Sequence, residues 1–446
     1  MGLGKSAGVL SALDILNITE DIYPALILAP LRVARSTWRD ESQKWDDFRH
    51  LDVSPVVGTD TERREALRQP ADIYCLNYEN LQWYEKLIGD AWPFKTLIVD
   101  ESTKIKSMRA TQGGSRAAVL RRYAFNKVKR IVELTGTPSP NGLKDLWGQI
   151  YLLDQGQRLG RTFTAFEQRW FGYRRIKDAI SKREHIQTVI FPHSQTEIQD
   201  RLKDICLSLN AADYFDIKEP LIIPRYVDLP PEARALYRDM EKKMFMKIEN
   251  HEIEAFNAAS KTNKLIQLAA GACYIESEVE SDSDPKAKKW KVVHDEKLEA
   301  LDEIIEEAAG MPVLVAYNFK SDLVRLKKAF PKGRHIDTKK DEDDFKAGLI
   351  DLAFAHPASL GHGVDGFQYV TNICCFYSLD WNLENFLQFI ERIGPVRQIQ
   401  AGFNRNVFVY IIVARNTMDE DVLERHKTKK SVQDILLEAM KHRKYI

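Results

Sequence analysis

The first six residues, Met1-Gly2-Leu3-Gly4-Lys5-Ser6, carry the first pattern with chemistry in it. They match the back half of the phosphate-binding signature GxxxxGK[ST], in which a Gly-rich turn aims backbone N–H groups at phosphate oxygens. In that chemistry Gly2 and Gly4 shape the turn, Lys5 reaches the β- and γ-phosphates, and Ser6 holds Mg²⁺. Ala7 to Leu16 read as a helix whose N-terminus faces the same anion. Alone, the hexapeptide reads equally well as a Gly-rich tail. A second pattern is Leu97-Ile98-Val99-Asp100-Glu101-Ser102, an apolar strand ending in two acids. Ligands in open α/β sheets bind at the carboxyl ends of strands. There Asp100 would support Mg²⁺, and Glu101 would orient or deprotonate an attacking water. A strand ending in a solvated acidic turn fits that stretch as well. A third pattern, Leu134-Thr135-Gly136-Thr137-Pro138, is a Gly- and Pro-containing turn after another apolar run.

These patterns need strands to hold them. Short apolar runs at Ala25 to Ala29, Thr96 to Val99 and Arg130 to Leu134 predict buried strands in the first third of the chain. In the last third, Val313 to Tyr317, Leu352 to Ala355, Ile373 to Tyr377 and Val407 to Val413 predict more. Between them, Leu298, Leu301, Ile304, Ile305 and Ala308 form one face of an amphipathic helix. Strands alternating with helices predict an α/β fold with parallel sheets. The middle of the chain differs, with helix-compatible stretches such as Glu197 to Leu207. A strand is expected at Tyr226 to Leu229, with Pro230-Pro231 opening a helix. Residues 276 to 291 are charge-rich and read as a solvated loop.

The chain has 446 residues, with 65 Lys+Arg against 65 Asp+Glu. Zero net charge excludes a polycation that coats nucleic acid by bulk charge, so any such contact comes from local patches. The five cysteines form no CxxC pair, and Cys374-Cys375 lie in an apolar run that predicts buried strand residues. No stretch approaches 18 continuous apolar residues. The expected setting is cytoplasmic, without membrane association.

The order of the patterns resembles superfamily II helicases and translocases of the Swi/Snf type. The resemblance rests on Met1 to Ser6, on Asp100-Glu101, and on LTGTPSPNGLKDLW from Leu134 to Trp147. Ala25 to Pro30, continuing through Trp38 and Trp45, is similar to that family's motif Ia, and Asn77-Tyr78-Glu79 to its motif Ib. Val313 to Phe319 resembles motif IV. His356-Pro357-Ala358-Ser359-Leu360-Gly361-His362-Gly363-Val364-Asp365 resembles motif V in a phage-like variant, and Gln388, Arg392 and Arg397 fall in the region of motif VI.

The resemblance implies two RecA-like lobes with parallel sheets, residues 1–154 and 225–446, and a helical insertion at 155–224. It implies ATP and Mg²⁺ as cofactors, bound by Gly2, Gly4, Lys5, Ser6, Asp100 and Gln388. Glu101 would serve the attacking water, and Arg397 or Arg392 would supply an arginine finger, with Arg397 favoured by the Gly394-Pro395 kink. Arg32, Trp38, Asn77, Tyr78, Thr135, Gly136, Thr137, Ser359, Gly361 and Asp365 would face double-stranded DNA or couple it to hydrolysis. For Trp38, Trp45, Trp147 and Trp381 simple packing is the leading alternative.

Three departures qualify the transfer. The chain begins inside the phosphate loop, which reads as an incomplete first lobe or a defective nucleotide site. Ser102-Thr103 stand where relatives often carry Ala-His. Pro395 stands where the second motif VI arginine would fall. The implied function is a DNA-dependent ATPase, a helicase or duplex-DNA translocase. The alternative is a catalytically defective DNA-binding protein that keeps the shape.

Overall fold

In the computed structural model the described residues are 3–110, 115–136, 138–139, 142–177, 184–209, 216–249, 255–274, 290–360 and 364–428. The chain divides into two compact units, Leu3–Asn210 and 211–446.

The first unit opens with helix α1 (Lys5–Asn17), strand β1 (Ala25–Ala29) and helix α2 (Trp38–Lys44). There follow β2 (Val53–Val56), α3 (Asp60–Arg68), β3 (Ile73–Asn77), α4 (Leu81–Ile88), β4 (Thr96–Asp100), α5 (Ser115–Ala124) and β5 (Arg130–Leu134). The five strands form one parallel sheet in the order β2-β3-β1-β4-β5. Its central strands read as unbroken apolar runs because both faces are covered. Ala25, Ile27, Ala29 and Ile98 pack against Val9, Leu10 and Leu13 of α1 and against Trp38. Leu26, Leu28, Leu97 and Val99 pack the other way, against Leu81 and Tyr84 of α4 and Val119, Leu120 and Tyr123 of α5. Each such buried aliphatic side chain contributes about 1.5–3 kcal/mol. β2 contains Pro55 and lies at the sheet edge, where a missing N–H costs no ladder bond.

The chain continues through α6 (Leu146–Asp154), α7 (Phe163–Trp170), an antiparallel pair β6 (Phe171–Lys177) and β7 (Glu184–Ile190), and α8 (Ser194–Leu202). Helical stretches were expected here. The extra hairpin follows Trp170, and its first residue Phe171 joins a separate small core with Trp147, Phe166, Trp170 and Ile198. Trp147 is fully buried in that core, stacks on Tyr151, and donates its indole N–H to Gly160 O at 3.0 Å.

The second unit contains β8 (Leu221–Val227), α9 (Pro231–Glu249), α10 (Ala255–Ala269), β9 (Ala272–Tyr274), β10 (Trp290–Val292), α11 (Glu296–Glu307), β11 (Val313–Ala316), α12 (Lys320–Ala329) and β12 (Arg334–His335). It ends with α13 (Lys339–Lys346), β13 (Leu352–Ala355), α14 (Pro357–Leu360), β14 (Ile373–Phe376), α15 (Leu383–Ile390), α16 (Pro395–Gln400), β15 (Phe408–Ala414) and α17 (Met418–Thr428). Six strands form a parallel sheet in the order β12-β13-β11-β14-β15-β8. The strand expected at Tyr226 starts earlier, at Leu221, and pairs with β15 from Leu221↔Phe408 onward. Cys374 and Cys375 are fully buried on opposite faces of β14, one in each of the unit's two cores. Both units are therefore α/β with parallel sheets, as the alternation of strands and helices predicts. Among the described residues no helix is long and apolar enough to cross a membrane.

Candidate nucleotide site

Gly4 has φ +69° and ψ 29°, the left-handed region, and forms the N-terminal boundary of α1. An L side chain there would cost about 1–2 kcal/mol. Having no side chain, Gly4 makes no capping bond, and the first turn of α1 carries no acid. The amides of Lys5 and Ser6 thus sit in a helix N-terminus with nothing anionic of its own, an arrangement that attracts phosphate. Gly2 lies outside the described residues.

Asp100 closes β4, the strand beside β1 in the middle of the sheet. Its Oδ2 accepts a hydrogen bond from Trp38 Nε1 at 3.1 Å, and its carbonyl accepts one from the Tyr78 hydroxyl at 2.7 Å. Burial raises the Asp100 carboxyl above its usual range, while the Lys5 ammonium and the Trp38 indole pull it back toward the ionised form. The lysine of the first sequence pattern and the acid of the second therefore act on one another.

Glu101 follows with φ +64° and ψ 58°, left-handed and non-glycine, and is buried. Such a conformation costs on the order of 1–3 kcal/mol and persists only where the surroundings impose it. Here the 3-10 turn Ser102–Ile105 begins at once, and Glu101 O accepts the Lys104 N–H.

The third pattern leaves β5, which pairs with β4 in the register Asp100↔Leu134. This register places the Thr135–Gly136 turn beside the Asp100–Glu101 turn at the same sheet end. Thr135 is half-buried and Gly136 exposed, while Thr137 lies outside the described residues.

The motif Ib residues sit deeper than expected. Tyr78 is buried in the core, so its hydroxyl serves the backbone of β4, and its ring is not presented at the surface. Asn77 is also buried, donating to Glu79 Oε2 at 2.9 Å and accepting from Asn80 Nδ2 at 2.6 Å. Arg32 is half-buried. Trp38 is fully buried yet polar in its role, whereas Trp45, expected to pack, is 46% exposed and bonds Glu41. Its position at the end of α2 points the ring away from the core.

In the second unit, Arg397 pairs with the Asp365 carboxylate, which also accepts from Gln368 Nε2 at 3.1 Å. Pro395 occupies the first turn of α16, so it starts a helix where a kink was expected, and Arg397 falls in that short helix. Arg392 is buried, donating to Val364 O at 2.7 Å and Gln388 O at 3.2 Å. Gln388 is buried and donates to Glu384 Oε1 at 3.2 Å. Ser359 is exposed, in the short helix α14. Gly361 lies outside the described residues. Asp365, Arg392 and Arg397 are thus linked to one another, directly or through Val364.

Sequence reasoning missed Gln149, whose side chain bridges two turns of the site. Its signal was available: one polar residue inside the apolar helix run Leu146 to Leu153 must find partners if buried.

Residues 1–284 match the SNF2-related domain. A protein of Acyrthosiphon pisum secondary endosymbiont phage 1 is 48% identical over 99% of this chain and 94% of its own length. The ISWI chromatin-remodeling complex ATPase of Saccharomyces cerevisiae is 23% identical over 98% of this chain, which spans 38% of that protein. An ATP-dependent helicase of Mycoplasma genitalium is 22% identical over 97% of this chain, which spans 39% of that protein. The solved Sulfolobus solfataricus SWI2/SNF2 ATPase core in complex with dsDNA aligns with 98% of this chain and 87% of its own, at 20% identity and a TM-score of 0.39.

Proposed function

The chain belongs to the SNF2-related family of helicase-like ATPases, and from that premise we propose that it is a DNA-stimulated ATPase that translocates on duplex DNA. The observation that carries the reading is the placement of Asp100 at the end of β4, where Trp38 holds Oδ2 at 3.1 Å and the Lys5 charge favours the ionised carboxyl. A cation at the phosphates and an oriented carboxylate beside it are what phosphoryl transfer requires of a protein.

Lys5 and the first-turn amides of α1 bind the phosphates. Ser6 and Asp100 are the residues that would hold Mg²⁺, which when bound neutralises phosphate charge. The donor set fits it, since hydroxyl and carboxylate oxygens are the hard ligands this ion prefers. Glu101 orients and deprotonates the attacking water, and its imposed backbone conformation fixes where its carboxylate starts. Arg397 or Arg392 is the candidate arginine finger, a side chain that would supply positive charge for the transferred group. Thr135, Gly136, Arg32 and Ser359 are the candidates for DNA backbone contact, with affinity that falls steeply with salt.

The test is ATP turnover of the full chain with no nucleic acid, duplex DNA, single-stranded DNA and RNA. Duplex DNA is expected to give the largest stimulation. Lys5→Ala should abolish turnover, and Glu101→Gln should lower it by roughly 10²–10⁴-fold while ATP still binds. Duplex binding without turnover in any condition would instead establish the non-hydrolysing DNA-binding protein.

A further inference from the structure

Helix α6 meets the turn after Glu101 at three points. A Cβ on Gly148 would stand 2.5 Å from Lys106 O and 2.9 Å from Ile105 O, so only glycine permits the two backbones to approach this closely. Lys106 Nζ lies 3.4 Å from Asp145 Oδ2. Ser102 Oγ lies 2.6 Å from Gln149 Oε1, with both residues buried.

The direction of this last bond follows from the other end of the amide. Gln149 Nε2 lies 2.7 Å from Pro138 O and 2.8 Å from Asp145 O. Both partners are acceptors, so the nitrogen faces them, the oxygen faces Ser102, and the Ser102 hydroxyl donates. One buried amide therefore holds both the residue after Glu101 and the carbonyl of Pro138, next to the turn that carries Thr135 and Gly136. A shift of either turn breaks one of these bonds, and at the buried Ser102 end an unmade bond is costly.

We propose that Gln149 is a positioning residue that couples the Asp100–Glu101 turn to Pro138, next to the Thr135–Gly136 turn, so that a ligand moving one alters the other. This rests on the ATPase reading above, with ATP at the first turn and DNA at the second. Ser102 and Gln149 form one device, because the Ser102 hydroxyl satisfies the Gln149 carbonyl.

The experiment measures ATP turnover with and without saturating duplex DNA for wild type, Gln149→Leu, Ser102→Ala and the double variant, together with KM for ATP and the melting temperature. Gln149→Leu is expected to lower the ratio of stimulated to basal turnover about fivefold or more. The double variant should be no worse than Gln149→Leu alone, since both singles break the same link. Should Gln149→Leu fail to fold, Gln149→Glu takes its place; it keeps the acceptor for Ser102, loses the donors to Pro138 and Asp145, and should lower the ratio likewise. An unchanged ratio in a stimulated enzyme overturns the coupling role alone. So does an equal loss of basal and stimulated turnover accompanied by a lower melting temperature, which marks a purely structural residue. A wild type that DNA does not stimulate overturns the ATPase reading, and the coupling role with it.

Discussion

The indole nitrogen of Trp38 donates to Oδ2 of Asp100 across 3.1 Å, joining the start of α2 to the carboxylate at the end of β4. The ring is fully buried against α1 and β1, so packing and hydrogen bonding act through one side chain. Trp38→Phe keeps most of the buried ring and deletes the donor. That donor favours the ionised carboxyl, so its loss pushes the Asp100 pKa further up. The acid limb of turnover against pH should move to higher pH, while Lys5 still supports the anion. Coincident acid limbs for the two proteins would mean that Trp38 serves by packing alone.

The strands that hold the site were legible because both of their faces are buried. Ala25–Ala29 and Thr96–Asp100 fall where the apolar runs lie, since a doubly covered strand has no polar face to interrupt its pattern. Arg130–Leu134, expected to be buried, is instead an edge strand and only half-buried throughout. β2 was not legible: Val53-Ser54-Pro55-Val56 is an edge strand, short and half polar, and propensity argues against it. β12, with two residues, is too short to carry any period. At the site, Lys5, Asp100 and Glu101 stand out in the sequence because the proposed chemistry dictates their types. The partners of Trp38, Ser102 and Gln149 could not be read from it, because they depend on which side chains the fold brings together from residues 38, 100, 102 and 149. Tyr78 shows the opposite failure: its motif was recognised, but burial turned its hydroxyl toward the Asp100 carbonyl.

Gly148 admits the close approach of α6 to the Ser102–Ile105 turn, and the neighbours that a Cβ would strike are backbone oxygens. Backbone cannot swing aside as a side chain can, so Gly148→Ala forces the helix away. The expected cost is about 1–3 kcal/mol of stability, typical of overpacking. Displacement of the helix should also lower turnover, because the Gln149 amide moves with it. Urea unfolding of the two proteins measures the first effect; a difference below about 0.5 kcal/mol would show that the contact yields freely.

His294 is buried and bonds Leu268 O through Nε2 at 3.1 Å. Burial lowers its pKa to about 4, with Lys297 and Arg325 adding to the fall against the Leu268 carbonyl and Asp419. A depressed imidazole pKa means that the folded state prefers the neutral ring. Its stabilising contribution is therefore complete above the unfolded value of 6.5 and is lost as pH falls toward 4. The size is about 3 kcal/mol, and His426, held at about 4 chiefly by burial, acts in the same direction. Gln at position 294 can still donate to Leu268 O but has no proton to gain. Between pH 7 and pH 4, His294→Gln should therefore gain about 3 kcal/mol relative to wild type in urea unfolding. Parallel stability curves across that range would refute the buried neutral histidine.

Lys297 and Asp419 form an ion pair of 2.6 Å, and neither side chain has any solvent exposure. Lys297 Nζ also donates to Ile412 O at 2.9 Å and Tyr377 O at 3.3 Å, at the ends of β15 and β14, while Asp419 Oδ2 accepts the Ala414 N–H. The pair thus fastens α11 and the start of α17 to two central strands of the second sheet. Removing one partner strands the other charge in the core, which costs about 3–5 kcal/mol, more than the pair itself contributes net. Lys297→Met should lose that much in urea unfolding. In Lys297→Met/Asp419→Asn the stranded charge is gone while the side-chain carbonyl can still accept from Ala414, so part of the loss should return. A double variant as unstable as the single would place the cost in the lost carbonyl contacts of Lys297, with no share left for the unpaired carboxylate.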